Sequence, residues 1–236
     1  NYFLFQGELV IKPKDLEPVD GESDIIVDDA NGKEQEIHRY RDITMRWKYG
    51  CDLTILACEN QQKVHYAMPV RNMLYDAFTY TGQVEKANKS YRKEKVKLSG
   101  VEFLSHFKKD DKLIPVITLV INFSPDKWDA PMTLHEMIDF KSDILKKFIP
   151  DYWINVIEPA TLTKEQLKKF TTGFREVMEC IKCSEDMYAM QQALAENDRF
   201  KNLDRKTSNV MRYCSGLKID FETDEEEFNM CKAFED

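Results

Sequence analysis

The sequence has no apolar run long enough to cross a bilayer. The longest, Leu113 to Phe123, contains Pro115 and Asn122, and a spanning helix needs roughly 20 apolar residues. No secretory signal is recognisable. The chain opens at Asn1-Tyr2-Phe3-Leu4-Phe5 without a methionine, which reads as the middle of an element whose beginning is not included. The six cysteines, at 51, 58, 180, 183, 214 and 231, follow no small-scaffold spacing. They read as reduced thiols in a cytoplasmic protein. Cys180-x-x-Cys183 resembles half of a zinc site, but a second half is missing and the pair lies in a helical pattern, where helix packing is the simpler role. A Gly-rich phosphate loop, H-E-x-x-H and G-x-S-x-G are all absent, which disfavours nucleotide hydrolase, zincin and serine hydrolase chemistry. Internal repeats and low-complexity tracts are absent too. The aromatic residues are scattered as in a core, so no base-stacking platform stands out.

What is present is ordinary for a globular protein: 236 residues, 42% hydrophobic and 32% charged, enough to build a core without disulfides. The formal net charge of −8 argues against non-specific coating of nucleic acid. The charge is uneven, however. Glu85 to Lys97 carries six Lys/Arg against two Glu, and Asp220 to Glu227 carries six acidic residues. The basic stretch suits either phosphate contact or a solvated helix face.

The pattern along the chain alternates strands and helices. A short strand is expected at Asp24 to Val27, with a turn at Asn31-Gly32. From Glu36 to Trp47 the residues alternate with period two, and Asp52 to Asn60 follows as a second, more apolar strand. Pro69 suits a first helical turn, and Met73, Leu74, Ala77, Phe78 and Thr81 follow at helical spacing, giving a helix over 69–84. A second helix is expected at Gly100 to Phe107, and a buried central strand at Leu113 to Phe123. Leu134 to Phe148 reads as mostly helical and Tyr152 to Ile157 as strand-like. A long helix is expected from Thr163, a candidate N-cap, to about Asn197. These elements imply an α/β core over residues 1–160 with a mixed central sheet, and a helical C-terminal extension over 161–236.

The chemistry concentrates in one hairpin. A two-residue loop at Gly50-Cys51 sets Asp42 opposite Glu59, and a loop at Tyr49-Gly50 shifts the pairing by two and preserves the face. On either register Asp42, Glu59 and Gln61 point to one side. Two carboxylates on neighbouring strands suit Mg²⁺ (or Mn²⁺), and the Asn60 carbonyl could add a ligand. Gln61 could orient an attacking water but supplies neither a proton acceptor nor charge. Asp52, about 23 Å from Glu59 along the strand at about 3.3 Å per residue, reads as a turn residue. The alternative for Asp42 and Glu59 is a polar sheet rim.

Arg41-Asp42, Cys58-Glu59-Asn60-Gln61-Gln62, Ala67-Met68-Pro69-Val70-Arg71 and Met73-Leu74-Tyr75 resemble the bacterial recombination-promoting nuclease/transposase family, within the PD-(D/E)xK nuclease superfamily. Similarity extends to Phe5-Gln6-Gly7 with Val10-Ile11-Lys12-Pro13, Leu113 to Val120, Trp128-Asp129-Ala130-Pro131 and Met230-Cys231-Lys232-Ala233. The resemblance implies a restriction-endonuclease-like fold and a divalent-metal-dependent DNA endonuclease linked to recombination or mobile elements. By that resemblance Asp42 and Glu59 are the metal ligands, and Gln61 stands where the superfamily usually has lysine. Lys63 or Arg71 could supply the missing charge, or could serve only at the surface or in helix packing. A further acidic residue often comes from a helix that would lie before Asn1. His65, Lys89, Arg92 and Lys93 are candidate substrate contacts. A non-catalytic descendant acting as a nucleic-acid- or protein-binding module is the rival reading. Dimerisation through the C-terminal helices is an accompanying expectation.

Overall fold

The computed structural model describes residues 1–18, 23–28, 34–39, 43–48, 50–58, 65–215 and 227–233. In chain order these form α1 (Tyr2–Phe5), β1 (Leu16–Pro18), β2 (Ser23–Asp28), β3 (Glu34–Arg39), β4 (Ile43–Trp47), β5 (Cys51–Cys58), α2 (Met68–Lys93), α3 (Gly100–Ser105), β6 (Val116–Asn122), α4 (Asp143–Lys146) and β7 (Asn155–Ile157). There follow α5 (Lys164–Leu167), α6 (Phe174–Cys183), α7 (Met187–Glu196), β8 (Leu203–Asp204), α8 (Arg205–Ser215), β9 (Glu227–Phe228) and α9 (Met230–Ala233).

The main sheet has five strands in the order β1-β4-β5-β6-β7. β4 runs antiparallel to both β1 and β5, whereas β5, β6 and β7 lie parallel to one another. The fold is thus α/β with a mixed sheet, as its sequence pattern implied. β2 and β3 form a separate antiparallel hairpin. The period-two run from Glu36 to Trp47 is therefore not one strand: it is divided between two sheets, because β3 pairs back onto β2 while β4 pairs with β1 and β5.

The β4–β5 connection differs from both expected loops. Trp47 pairs with Cys51 and Ile43 with Ile55, leaving Lys48, Tyr49 and Gly50 between the strands. Gly50 has φ 82° and donates its N–H to the Trp47 carbonyl at 2.9 Å, the left-handed glycine that a three-residue hairpin loop requires. The extra residue matters because it makes residues of like parity face each other, as Thr44 and Thr54 do. The register argument that set Asp42 opposite Glu59 is thereby removed.

Asp52 is not a turn residue. It lies in β5 at 1% exposure, directly opposite Arg46, whose Nε and Nη2 donate to its two carboxylate oxygens at 2.8 and 2.9 Å. This bidentate pair holds the Arg46 guanidinium above its ordinary pKa, chiefly through the hydrogen bond. It also locks the hairpin register.

β5 and β6 are parallel, so the chain must cross back between them, and α2 is part of that crossover. α2 runs antiparallel to β6, as its bonds show in order. Met68 packs with Val120, Asp76 accepts from Thr118 Oγ1, Tyr80 Oη accepts from the Val116 N–H, and Gln83 bonds the Ile114 backbone at both its amide atoms. Fifteen helical residues cover about 22 Å and six strand residues about 20 Å, so the two elements stay in step. The helix is longer than its apolar pattern suggested and carries the basic stretch to Lys93. Its buried face is also different. Met68, Pro69, Asn72 and Tyr75 are buried, while Met73 and Leu74 are each 37% exposed.

The opposite face of β6 meets the C-terminal helices. Ile121 and Phe123 share a core with Ile157, Leu162, Leu167, Val177, Met178, Cys180, Ile181, Phe200, Met211 and Met230. This core crosses the boundary expected after residue 160, so the C-terminal helices close one side of the sheet. The expected long helix from Thr163 is three helices. Thr163 does cap the first, in a reciprocal capping box with Gln166. The chain breaks at Gly173, where a Cβ would lie 1.9 Å from Thr207 Oγ1 of α8, and again before Asp186, which caps α7. Leu134 to Phe148 is mostly irregular, with a single short turn at His135–Met137 and α4.

Glu176, fully buried in α6, accepts from Asn197 Nδ2 at 3.2 Å and pairs with Arg199 at 3.3 Å. It ties α6 to the segment after α7.

Asp52→Ala is expected to destabilise the fold by about 3 kcal/mol, since it breaks a pair at a buried carboxylate. Urea titration should show a lower midpoint at unchanged slope, and an unshifted midpoint would show that the pair does not hold the hairpin.

Candidate active site at the carboxyl ends of the parallel strands

In open α/β sheets, ligands favour the crevice beyond the carboxyl ends of the parallel strands. Here that edge is formed by Cys58, Asn122 and Ile157, the last residues of β5, β6 and β7. The antiparallel β4 begins on the same edge, at Ile43. Met68, the first residue of α2, packs on Val120 beside it.

Several described residues beside this edge are polar and tied down. Asn122 is 4% exposed and donates to the Asp126 carbonyl at 3.4 Å. The Trp128 backbone N–H donates to the Glu158 carboxylate. Tyr66 Oη lies 3.5 Å from Asp129 Oδ2. The Trp128-Asp129 segment is thereby held over the strand ends, and Trp128 adds its ring to the small core of Met68, Val120 and Ile154.

His65 and Arg71 are brought together. Both line a surface hollow of about 410 Å³ with Ala67, Val70, Leu74 and Tyr75. His65 is exposed and its carbonyl accepts the Met68 N–H at 2.9 Å. Arg71 reaches Tyr75, with Nε 3.4 Å from Oη and the guanidinium 5.5 Å from the ring centroid. Its partner is thus a helix neighbour, one of the roles expected from sequence.

Asp42, Glu59, Asn60, Gln61 and Lys63 lie outside the described residues. Among the described residues no group of three or more His, Cys, Asp or Glu side chains could hold a metal ion.

Lys89, Arg92 and Lys93 are exposed on the last turns of α2. The 18 residues between Arg71 and Lys89 span about 27 Å along the helix, so the basic end and the strand-end hollow form two separate places. At the basic end, Tyr91 donates to Asp111 and stacks under Lys108, whose Nζ is 4.6 Å from the ring centroid. The hydrogen bond to Asp111, with burial second, pushes the Tyr91 phenol up to about 12.

Sequence reasoning missed a further polar cluster between α2 and the sheet. Asp76 accepts from Thr118 Oγ1 at 2.6 Å and from Tyr152 Oη, and Asn72 Nδ2 donates to Tyr152 Oη at 2.8 Å. Burial, then the bond to Asp76, drives the Tyr152 phenol well above its ordinary pKa. The available signal was the spacing of Asn72, Asp76, Tyr80 and Gln83, which makes one polar stripe along a helix.

Cys180 and Cys183 sit on α6. Cys180 is fully buried in the main core, and burial pushes its thiol up to about 12 against a smaller opposing hydrogen bond with Ser215. Burial also raises Cys183.

Neither protein-family models, nor curated proteins, nor solved structures give a match to this chain. The described residues contain no helix long and apolar enough to cross a membrane.

Because the thiolate is the reactive form, Cys180 should stay unmodified by iodoacetamide at pH 8 in the native protein and become modified once urea unfolds it. Peptide mapping by mass spectrometry reads this, and rapid native modification would contradict the packing of α6.

Proposed function

We propose that this chain is a divalent-metal-dependent DNA endonuclease of the PD-(D/E)xK type, associated with recombination or mobile elements. One observation carries the reading. Ile43 and Cys58, the covalent neighbours of Asp42 and Glu59, lie at the same end of the antiparallel β4–β5 pair, which is also the carboxyl edge of β5, β6 and β7. The donor set fits the metal: two carboxylates and a backbone carbonyl are the hard oxygen ligands that Mg²⁺ or Mn²⁺ takes. In this reading Asp42, Glu59 and the Asn60 carbonyl hold the cation. A cation so held supplies an activated water and neutralises charge on a phosphoryl oxygen. Gln61 orients the attacking water, and Lys63, His65 and Arg71 contact substrate near the strand ends. Lys89, Arg92 and Lys93 contact phosphates farther along the duplex.

The hairpin register favours a second reading. Like-parity pairing does not match residue 42 with residue 59, and Gln61 stands in the lysine's place. A nuclease-fold module that binds nucleic acid or protein without cleaving would keep the same sheet.

Supercoiled plasmid with Mg²⁺ or Mn²⁺ separates the two. The endonuclease nicks or linearises it, and Asp42→Ala and Glu59→Ala lose that activity while keeping their circular dichroism. Cleavage that persists in both variants removes these residues from the site. Absence of cleavage, together with a melting temperature indifferent to divalent ions, selects the module, because a ligand of the native state must stabilise it.

For the basic end of α2, the triple change Lys89→Ala, Arg92→Ala and Lys93→Ala should weaken DNA binding. The slope of log affinity against log salt should become shallower by about 0.9 for each phosphate no longer neutralised. Unchanged affinity and slope would exclude this end from the DNA footprint.

A further inference from the structure

The basic end of α2 continues into the segment that follows it. Lys86 to Lys112 carries nine Lys/Arg against four Asp/Glu, a local excess of five cations in a chain whose net charge is −8. Among the described residues none of these nine cations is in an ion pair. Three of the four acids serve the local frame instead. Glu94 accepts from Ser90, Glu102 closes the capping box of α3 with Ser99, and Asp111 accepts from Tyr91 and from the Lys108 N–H. The cations are thereby left to attract a polyanion.

An apolar surface adjoins them. α3 holds Val101, Phe103 and Leu104 at 77, 62 and 81% exposure. Between α3 and the last turns of α2 lies an open groove of about 420 Å³. Val96, Leu98 and Phe103 give it an apolar side, and Asn88, Arg92 and Lys95 give it a polar one. Its volume falls within the range of ligand pockets, about 300 to 1,000 Å³.

The two features together suit a ligand that offers phosphates and apolar faces at once. A blunt duplex offers only phosphates, because its base faces are stacked on one another. Unpaired nucleotides offer both, and single-strand sites combine a cationic groove with aromatic rings on which bases stack. A phospholipid surface also combines negative charge with apolar matter, but a flat bilayer does not enter a groove. Arg92 belongs both to this groove and to the set assigned above to phosphate contact, so one DNA backbone can follow both.

We infer that the groove between α2 and α3 holds unpaired nucleotides of the bound DNA. A base stacks on Phe103, and Arg92 and Lys95 take the adjoining phosphates. The inference rests on DNA as the ligand of the chain, and it names the substrate class: a duplex that carries a single-stranded tail or gap.

Fluorescence anisotropy of the full chain in EDTA tests this with one duplex, either blunt or extended by a thymidine tail of about 16 nucleotides, the upper end of single-strand site sizes. The tailed form is expected to bind at least about fivefold more tightly, the effect of one stacked base. Phe103→Leu keeps apolar bulk but removes the ring, and should cancel that preference. Phe103→Trp should retain it. The position is exposed, and circular dichroism confirms that both variants fold. Equal affinity for the two DNA forms overturns the inference, as does a preference unchanged in folded Phe103→Leu. Tighter binding to phosphatidylserine vesicles than to the tailed DNA overturns it too. Plasmid nicking with Mg²⁺ is scored separately. Nicking without a tail preference removes this inference alone, whereas neither nicking nor binding of either DNA form removes the endonuclease reading as well.

Discussion

The parallel pairing of β5 with β6 is the constraint on which the remaining structure depends. It runs from Asp52 beside Val116 to Cys58 beside Asn122. Parallel neighbours cannot be joined by a tight turn, so the chain must cross over a sheet face and return to the starting edge. α2 lies on that path, and its antiparallel course along β6 sets its first residue at the carboxyl edge and its last turns well past the amino edge. The strand-end hollow around His65 and Arg71, the polar cluster around Asp76 and the exposed basic end are three stations along one helix. Their separation is set by 1.5 Å per residue.

The face that α2 turns toward the sheet is more polar than an amphipathic helix would ordinarily offer. Thr118 is buried in β6, and Asn155 of β7 donates to the Thr118 carbonyl, so the sheet surface there needs hydrogen bonds. Asn72, Asp76, Tyr80 and Gln83 meet that need, and Met68 supplies the apolar contact where β6 becomes apolar at Val120. The consequence is an outer face on which Val70, Met73 and Leu74 are more than one-third exposed. On the other side of the sheet the usual logic holds. Ile121 and Phe123 pack on α6 and its neighbours, and the buried Glu176 there has Arg199 and Asn197 for company.

For the endonuclease reading this geometry divides labour. The residues proposed to hold the cation follow β5 and precede β4, whereas the basic cluster is about 27 Å from Arg71 along α2, or roughly eight base pairs at about 3.4 Å each. In that reading the basic end would steady a duplex and leave the chemistry to the carboxyl edge. The acidic net charge, −8, then confines attraction for a polyanion to local surfaces.

Much of the fold was legible because its signals are local. The Asp24 to Val27 stretch marked β2, the apolar run from Asp52 marked β5, the Ile- and Val-rich run marked β6, Pro69 marked the start of α2, and Thr163 marked a capped helix start. The misreadings occurred where side-chain pairing and packing between elements decide. The loop between β4 and β5 holds three residues where two were expected, Arg46 and Asp52 pair across the resulting register, and one residue reverses parity. The sequence by itself determined the α/β class, the main strands and helices of the core and the residue types available for chemistry, since periodicity and caps need only near neighbours. Tertiary structure alone decided the hairpin register, the polar face of α2 and the cluster it forms with the sheet. Those depend on specific side-chain hydrogen bonds and ion pairs between elements, Asp76 with Tyr152 and Arg46 with Asp52 among them.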